Sequence, residues 1–103
     1  MWAQLITTSL KSGCEGELPR LEAALREAEQ PGSGLVRSLL MQDQKDPTKL
    51  YMLVVFESEE HARARENDPR RAEGLTKARG IMGEIFAGPP AFVDLTVTEE
   101  FAP

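Results

Sequence analysis

Lys49-Leu50-Tyr51-Met52-Leu53-Val54-Val55-Phe56-Glu57 is the stretch on which the fold turns. Every side chain from Leu50 to Phe56 is apolar or aromatic, and charged residues stand at both ends. Successive side chains of an extended chain point to opposite faces, so this run must bury both faces and belongs in the middle of a sheet. It is far shorter than the roughly 20 apolar residues that a bilayer-spanning helix needs. Turn-forming residues bound it. Asp43-Gln44-Lys45-Asp46-Pro47 precedes it and links it to another strand, Leu35 to Gln42.

Moving toward the N-terminus, Pro31-Gly32-Ser33-Gly34 closes a helix that runs from Glu15 to Gln30. Its apolar residues Leu18, Leu21, Leu25 and Ala28 recur at helical spacing and give one buried stripe. Pro19 falls in the first turn, where its missing N–H costs nothing. Ahead of the helix, Trp2 to Leu10 carries Leu5, Ile6, Thr7 and Thr8 and reads as a strand that ends at Lys11-Ser12-Gly13.

Moving toward the C-terminus, Ser58 is placed to cap a short helix that opens with Glu59-Glu60, acidic residues at the positive end of the helix dipole. Asn67-Asp68-Pro69 interrupts it. Asp68 then caps a further helix with Pro69 in its first turn and an apolar stripe of Ala72, Leu75, Met82 and Phe86, stopped by Gly88-Pro89-Pro90. Gly74, Gly80 and Gly83 each cost about 1 kcal/mol against alanine inside a helix. Either the helix approaches the sheet closely there, or it frays and bends. Phe92 to Thr98 alternates, with Val93, Leu95 and Val97 on one face, and forms a last strand; Glu99 to Pro103 is a tail.

The order β-α-β-β-α-β is the ferredoxin-like α+β arrangement, an antiparallel sheet with its helices on one face. At 103 residues the chain is one domain, which buries roughly two-thirds of the surface its unfolded form exposes. Helices on one side leave the other face of the central strand bare. A large apolar patch facing water is best hidden by a second copy related by two-fold symmetry, so the chain is expected to be a homodimer.

Composition narrows the function classes. A net charge of −5, with basic residues scattered apart from Arg63, Arg65, Arg70 and Arg71, offers no broad surface for a phosphate backbone and argues against nucleic acid. One His and one Cys give no metal-ligand spacing, so neither a metal nor a cofactor is expected. The unpaired Cys14 cannot form an internal disulfide and reads as an inert loop thiol. With no apolar span and no basic-then-apolar leader pattern, the expected location is the cytoplasm, with no membrane partner.

Few residues are equipped for chemistry. His61 is the one residue of a type suited to general acid–base work at neutral pH, and its place in a charged first helical turn fits a solvent-facing residue better than a catalytic one. Asp94 interrupts the last strand and falls on the face opposite Val93 and Leu95, as a polar-side residue or a buried carboxylate. Trp2, Tyr51, Phe56, Phe86 and Phe92 line a pocket between sheet and helices or simply fill the core. Arg65 and Arg70 straddle the helix break, where two planar guanidinium forks would meet an anionic ligand, unless both lie on a solvated face.

Taken together, the first helix boundary, the Pro31-Gly32 turn, Phe56-Glu57-Ser58-Glu59-Glu60, the Asp68-Pro69 break and Gly88-Pro89-Pro90 resemble the antibiotic biosynthesis monooxygenase family. The resemblance covers nearly the whole chain, although Phe56 stands where many members have tryptophan. It implies a dimeric α/β barrel with a ligand cavity in each subunit, for which Ile6, Phe56, Leu75, Met82 and Phe86 are the pocket candidates. It also implies oxidation of polycyclic phenols or quinols, in several members without metal or flavin, or haem degradation. The family's catalytic residues carry over poorly. The first-strand asparagine falls on Ile6, the tryptophan and histidine of the haem-degrading branch fall on Arg65 and Leu75, and the two histidines of the quinol branch fall on Arg65 and Arg70. His61 matches none of these positions. Haem degradation is therefore disfavoured, and the expected function is binding of a small aromatic or quinone-like molecule with cofactor-independent oxidation. In that chemistry Arg65 and Arg70 would hold the substrate anion. The alternative is a non-catalytic dimeric module that carries a ligand or joins an assembly.

Overall fold

The computed structural model describes residues 1–103. Four strands, β1 (Trp2–Ser9), β2 (Leu35–Gln42), β3 (Lys49–Phe56) and β4 (Ala91–Thr96), form one antiparallel sheet in the order β2-β3-β1-β4. The helices are α1 (Leu18–Ala28), α2 (Glu59–Glu66) and α3 (Ala72–Ile85), with 3-10 turns at Glu15–Glu17 and Pro69–Arg71 leading into α1 and α3. This is the ferredoxin-like α+β fold expected from the order of elements. No helix is long and apolar enough to cross a membrane.

The doubly apolar strand lies inside the sheet, between β2 and β1. Its register on β1 pairs Phe56 with Trp2, Val54 with Gln4 and Met52 with Ile6. These residues face the helices, where Leu50, Val54 and Phe56 are buried. The alternate set, Tyr51, Leu53 and Val55, faces the other way and pairs with Thr7, Leu5 and Ala3. On the same side lie Leu39 and Met41 of β2, and Val93 and Leu95 of β4. No helix covers this face, and Leu39, Met41, Tyr51, Val93 and Leu95 are all exposed.

The two caps read from the sequence form. Ser58 Oγ accepts from the His61 N–H at 3.2 Å, and Asp68 Oδ1 accepts from the Arg70 N–H at 2.9 Å. The glycine-bearing helix runs unbroken from Ala72 to Ile85. Its close approach is at Gly74 and is made to α1 rather than to the sheet: a Cβ there would sit 2.8 Å from both Cα and Cβ of Ala28. Gly80 and Gly83 face open space.

Three expectations need correction. The buried stripe of α3 is Ala78, Ile81 and Ile85; Ala72 is exposed, while Leu75, Met82 and Phe86 are half-buried. The crossing with α1 through Gly74 turns the helix by part of a turn from the face that Ala72 would have set. The last strand ends at Thr96, and Val97 lies beyond it, held by its N–H to Met1 O. Alternation in β4 is as expected, but Val93 and Leu95 turn away from the helices, and Asp94 is on the helix side with Phe92.

Two buried clusters form the core. Leu10, Leu18, Leu21, Ala24, Leu50, Ala78, Ile81 and Ile85 join the sheet to α1 and α3. Trp2, Val54, Phe56 and Ala62 join it to α2. Between the sheet and the helices the packing leaves a space.

Candidate functional site

That space is a cavity of about 570 Å³. Its floor is the helix-facing side of the sheet: Trp2, Gln4 and Ile6 from β1, Met52, Val54 and Phe56 from β3, and Ser38 and Leu40 from β2. Leu21 and Leu25 of α1, Ala62 of α2, and Met82 with Phe86 at the end of α3 complete the walls. Phe92, at the β4 edge, lines one side and is 58% exposed, so the cavity opens there. Trp2 and Phe56 lie with ring centroids 6.1 Å apart, tilted by 48°.

Charged groups concentrate at the end nearest α2. Arg65 stacks over Phe56 with its guanidinium carbon 5.3 Å from the ring centroid, and it donates through Nε (3.2 Å) and Nη2 (2.9 Å) to Glu29 Oε2. Burial pushes the Glu29 carboxyl up, but the hydrogen bonds from Arg65, Ser33 and the Gln30 N–H outweigh it and hold its pKa below the ordinary value. Arg71 also lines the cavity and is 5% exposed. It donates through Nη1 to the Arg65 carbonyl at 3.1 Å, while its Nε is buried without a partner. Burial lowers its pKa, and repulsion from Arg65 acts in the same direction.

No family model matches the chain, and no curated protein does. Solved structures do match, 69 chains of them. A Nitrosomonas europaea protein described as an antibiotic biosynthesis monooxygenase superposes with a TM-score of 0.72 at 18% identity, covering 96% of this chain and 100% of its own. Rv0793 from Mycobacterium tuberculosis gives 0.73 at 16% identity, with 98% of each chain covered. The fold is that of the antibiotic biosynthesis monooxygenases. MhuD, solved as an R26S mutant with two manganese protoporphyrin IX molecules bound per active site, has the same fold at a TM-score of 0.73 and 15% identity over the whole of both chains.

The positions singled out by the antibiotic biosynthesis monooxygenase resemblance separate in space. Ile6, Phe56, Met82 and Phe86 line the cavity, as does Arg65. Leu75 does not: it is half-buried beside the Gly74 crossing, outside the lining. Arg70 is also outside. Its guanidinium turns back on the Asp68 cap, with Nη2 2.7 Å from Oδ2, and its side chain is 54% exposed. Arg65 and Arg70 therefore do not converge on one ligand. His61 lies outside the cavity as well, with Nδ1 2.6 Å from Ser58 Oγ, Nε2 3.5 Å from Glu57 Oε2 and its ring against Gly34. Of the five aromatic candidates, only Tyr51 is absent from the lining, because the β3 pleat points it to the open face. Asp94 accepts from Gln4 Nε2 (3.0 Å) and Arg63 Nη2 (3.1 Å), and Arg63 in turn sits 5.1 Å over the Trp2 ring.

Arg71 is the residue that sequence reasoning passed over. Two helical turns before Ala78, position 71 continues the buried face of α3 backward into the 3-10 turn. That periodicity was the available signal. The lining holds no histidine, cysteine or tyrosine, and no three His, Cys, Asp or Glu side chains gather anywhere to hold a metal ion. The thioethers of Met52 and Met82 are the only soft donors at the cavity, a poor fit to a haem iron.

Proposed function

We propose that the chain is a monooxygenase-like homodimer that takes a small aromatic or quinone-like molecule into this cavity, with cofactor-independent oxidation as its activity. The observation that carries this reading is the cavity itself. Its volume falls within the roughly 300–1,000 Å³ of small-molecule sites, and aromatic rings from β1, β3, β4 and the end of α3 surround it. A phenol oxidised there supplies the electrons itself. One atom of O₂ becomes the new ring carbonyl, and the other leaves as water with the phenol O–H and ring C–H hydrogens. What the protein must provide is a dry, shaped space and a positive field for the phenolate. Arg65 already faces Glu29, so its charge is largely offset.

The homodimer is supported by the open sheet face, where Val93 is 49% and Leu39 42% exposed around the central Leu53. A second reading, a non-catalytic ligand-binding module, is favoured by the absence of histidine, cysteine and tyrosine from the lining, whose acids and bases are Glu22, Glu29, Glu66, Arg26, Arg65 and Arg71.

Melting curves against hydroquinones, polycyclic phenols, haem and acidic metabolites test the binding. A ligand at 100 times its dissociation constant stabilises by about 2.7 kcal/mol. Stabilisation by one aromatic class, followed by substrate-dependent oxygen uptake in metal-free and flavin-free protein, is the expected result. Stabilisation without uptake supports the non-catalytic module, and no stabilisation by any aromatic class refutes the ligand reading. Arg70→Ala leaves affinity unchanged, because its fork is occupied by Asp68 outside the cavity.

A further inference from the structure

Three arginines near the helix break can be compared by one edge of the guanidinium, the Nε–Nη2 side that presents two parallel N–H groups to a carboxylate. In Arg65 that edge is filled by Glu29, at 3.2 and 2.9 Å. In Arg70 it is filled by Asp68 Oδ2, at 3.1 and 2.7 Å. In Arg71, the most buried of the three, it is empty: Nη1 alone is used, on the Arg65 carbonyl, and the residue takes part in no ion pair. Removing a cation from water without an anion beside it is costly, and such a group is retained where something else completes it. The side chain lines the cavity in company with Trp2, Phe56 and Ala62, so whatever completes it arrives through an apolar, aromatic space.

We infer that the Nε–Nη2 edge of Arg71 anchors the carboxylate of an aromatic acid whose ring system occupies the cavity. This rests on the cavity being the ligand site, and it specifies the ligand class as an apolar ring body bearing one anionic group. A carboxylate on Nη2 reaches Nε as well, as Glu29 does on Arg65, only with a small shift of the guanidinium, because Nε is sealed from solvent where it lies. Glu29 and Asp68 favour the Arg71 charge from a distance, but neither reaches it as an ion-pair partner, because Glu29 bonds Arg65 and Asp68 bonds Arg70. The apolar floor supplies non-directional affinity for the ring, and the fork fixes which end enters first.

The experiment compares naphthalene-2-carboxylate with its methyl ester by calorimetric titration, in the unmodified chain and in Arg71→Met and Arg71→Lys. The two probes share the ring body and differ in charge. The unmodified chain is expected to bind the acid about tenfold or more tightly than the ester, the range of a charge-assisted hydrogen bond. Arg71→Met is expected to lose that preference while keeping ester affinity, and Arg71→Lys to keep part of it. A merely structural role of Arg71, holding the Arg65 carbonyl at the end of α2, would weaken both probes alike. Equal binding of acid and ester by the unmodified chain overturns the inference and leaves the cavity reading standing. So does a preference that survives in Arg71→Met. Failure of both probes to bind overturns the cavity reading and the inference with it. The comparison within the unmodified chain stands even if a variant fails to fold.

Discussion

Alanine at Gly74 and alanine at Gly80 should move stability in opposite directions, although both glycines sit in the same helix. At Gly80 a Cβ meets nothing within 4 Å, so only the backbone effect remains. Gly80→Ala is expected to stabilise by about 0.8–1 kcal/mol, raising the melting temperature by roughly 4–8 °C in a domain of this size. At Gly74 the same gain is opposed by overlap with Ala28, whose Cα and Cβ would lie 2.8 Å away and whose N would lie 3.3 Å away. Two of those three atoms are backbone of α1, and Ala28 is 1% exposed, so nothing flexible can give way. Overpacking costs about 1–3 kcal/mol and here falls toward the upper end. Gly74→Ala is then net destabilising by about 1–2 kcal/mol, with melting lowered by roughly 4–15 °C. Circular-dichroism melts at one fixed protein concentration decide the matter, since association would make the midpoint concentration-dependent. Equal stabilisation by both substitutions would refute the close α1–α3 crossing, and with it the spacing that sets one wall of the cavity.

Two further expectations concern the open face and the Glu29–Arg65 pair. Leu53→Glu places a charge at the centre of the uncovered face, opposite Leu5 and Leu39, and is expected to turn a dimer into a monomer. Light scattering reads this directly, and a monomeric mass for the unmodified chain at micromolar concentration would sink the homodimer. The carboxyl of Glu29 is held below its ordinary pKa of 4.5, so its stabilising contribution is fully present above that pH and is lost as pH falls through the lower folded value. Urea midpoints for the unmodified chain should therefore fall below pH 4.5 more steeply than those of Glu29→Gln; parallel curves would contradict the pairing.

The sheet was legible because the Leu50–Phe56 run admits one reading: a strand apolar on both faces can only be interior. Both caps were legible too, since a Ser or Asp side chain reaches an N–H two or three residues ahead by local geometry alone. What the chain did not reveal is which way an alternating or periodic set faces. Alternation in β4 separates Val93 and Leu95 from Asp94 and Phe92, yet nothing local says which pair meets the helices. Tyr51, read as pocket lining or core, is in neither for the same reason, being one pleat away from Leu50 and Met52. On α3, the choice between Ala72 and the Ala78 face was made by the crossing at Gly74, a contact with a residue of another helix. The site suffered most, because its electrostatics join distant segments. Glu29 and Arg65 are 36 residues apart, and without that contact Arg65 and Arg70 looked equivalent. The emptiness of Arg71's fork is visible only once its neighbours' carboxylates are placed.

Strand β1 hydrogen-bonds on one side to β3 and on the other to β4, and Gln4 reaches Asp94 across 90 residues of sequence. During synthesis β1 emerges ahead of both partners and keeps one row of backbone donors and acceptors unpaired until β4 follows. Contacts so remote in sequence make sheet closure a late and slow event, and an open strand edge is a template for association between chains. A chain cut after Gly88 would carry that edge permanently, beside an apolar face already bare. Of the four strands the one made first is satisfied last, so synthesis through β4 is itself a safeguard against aggregation.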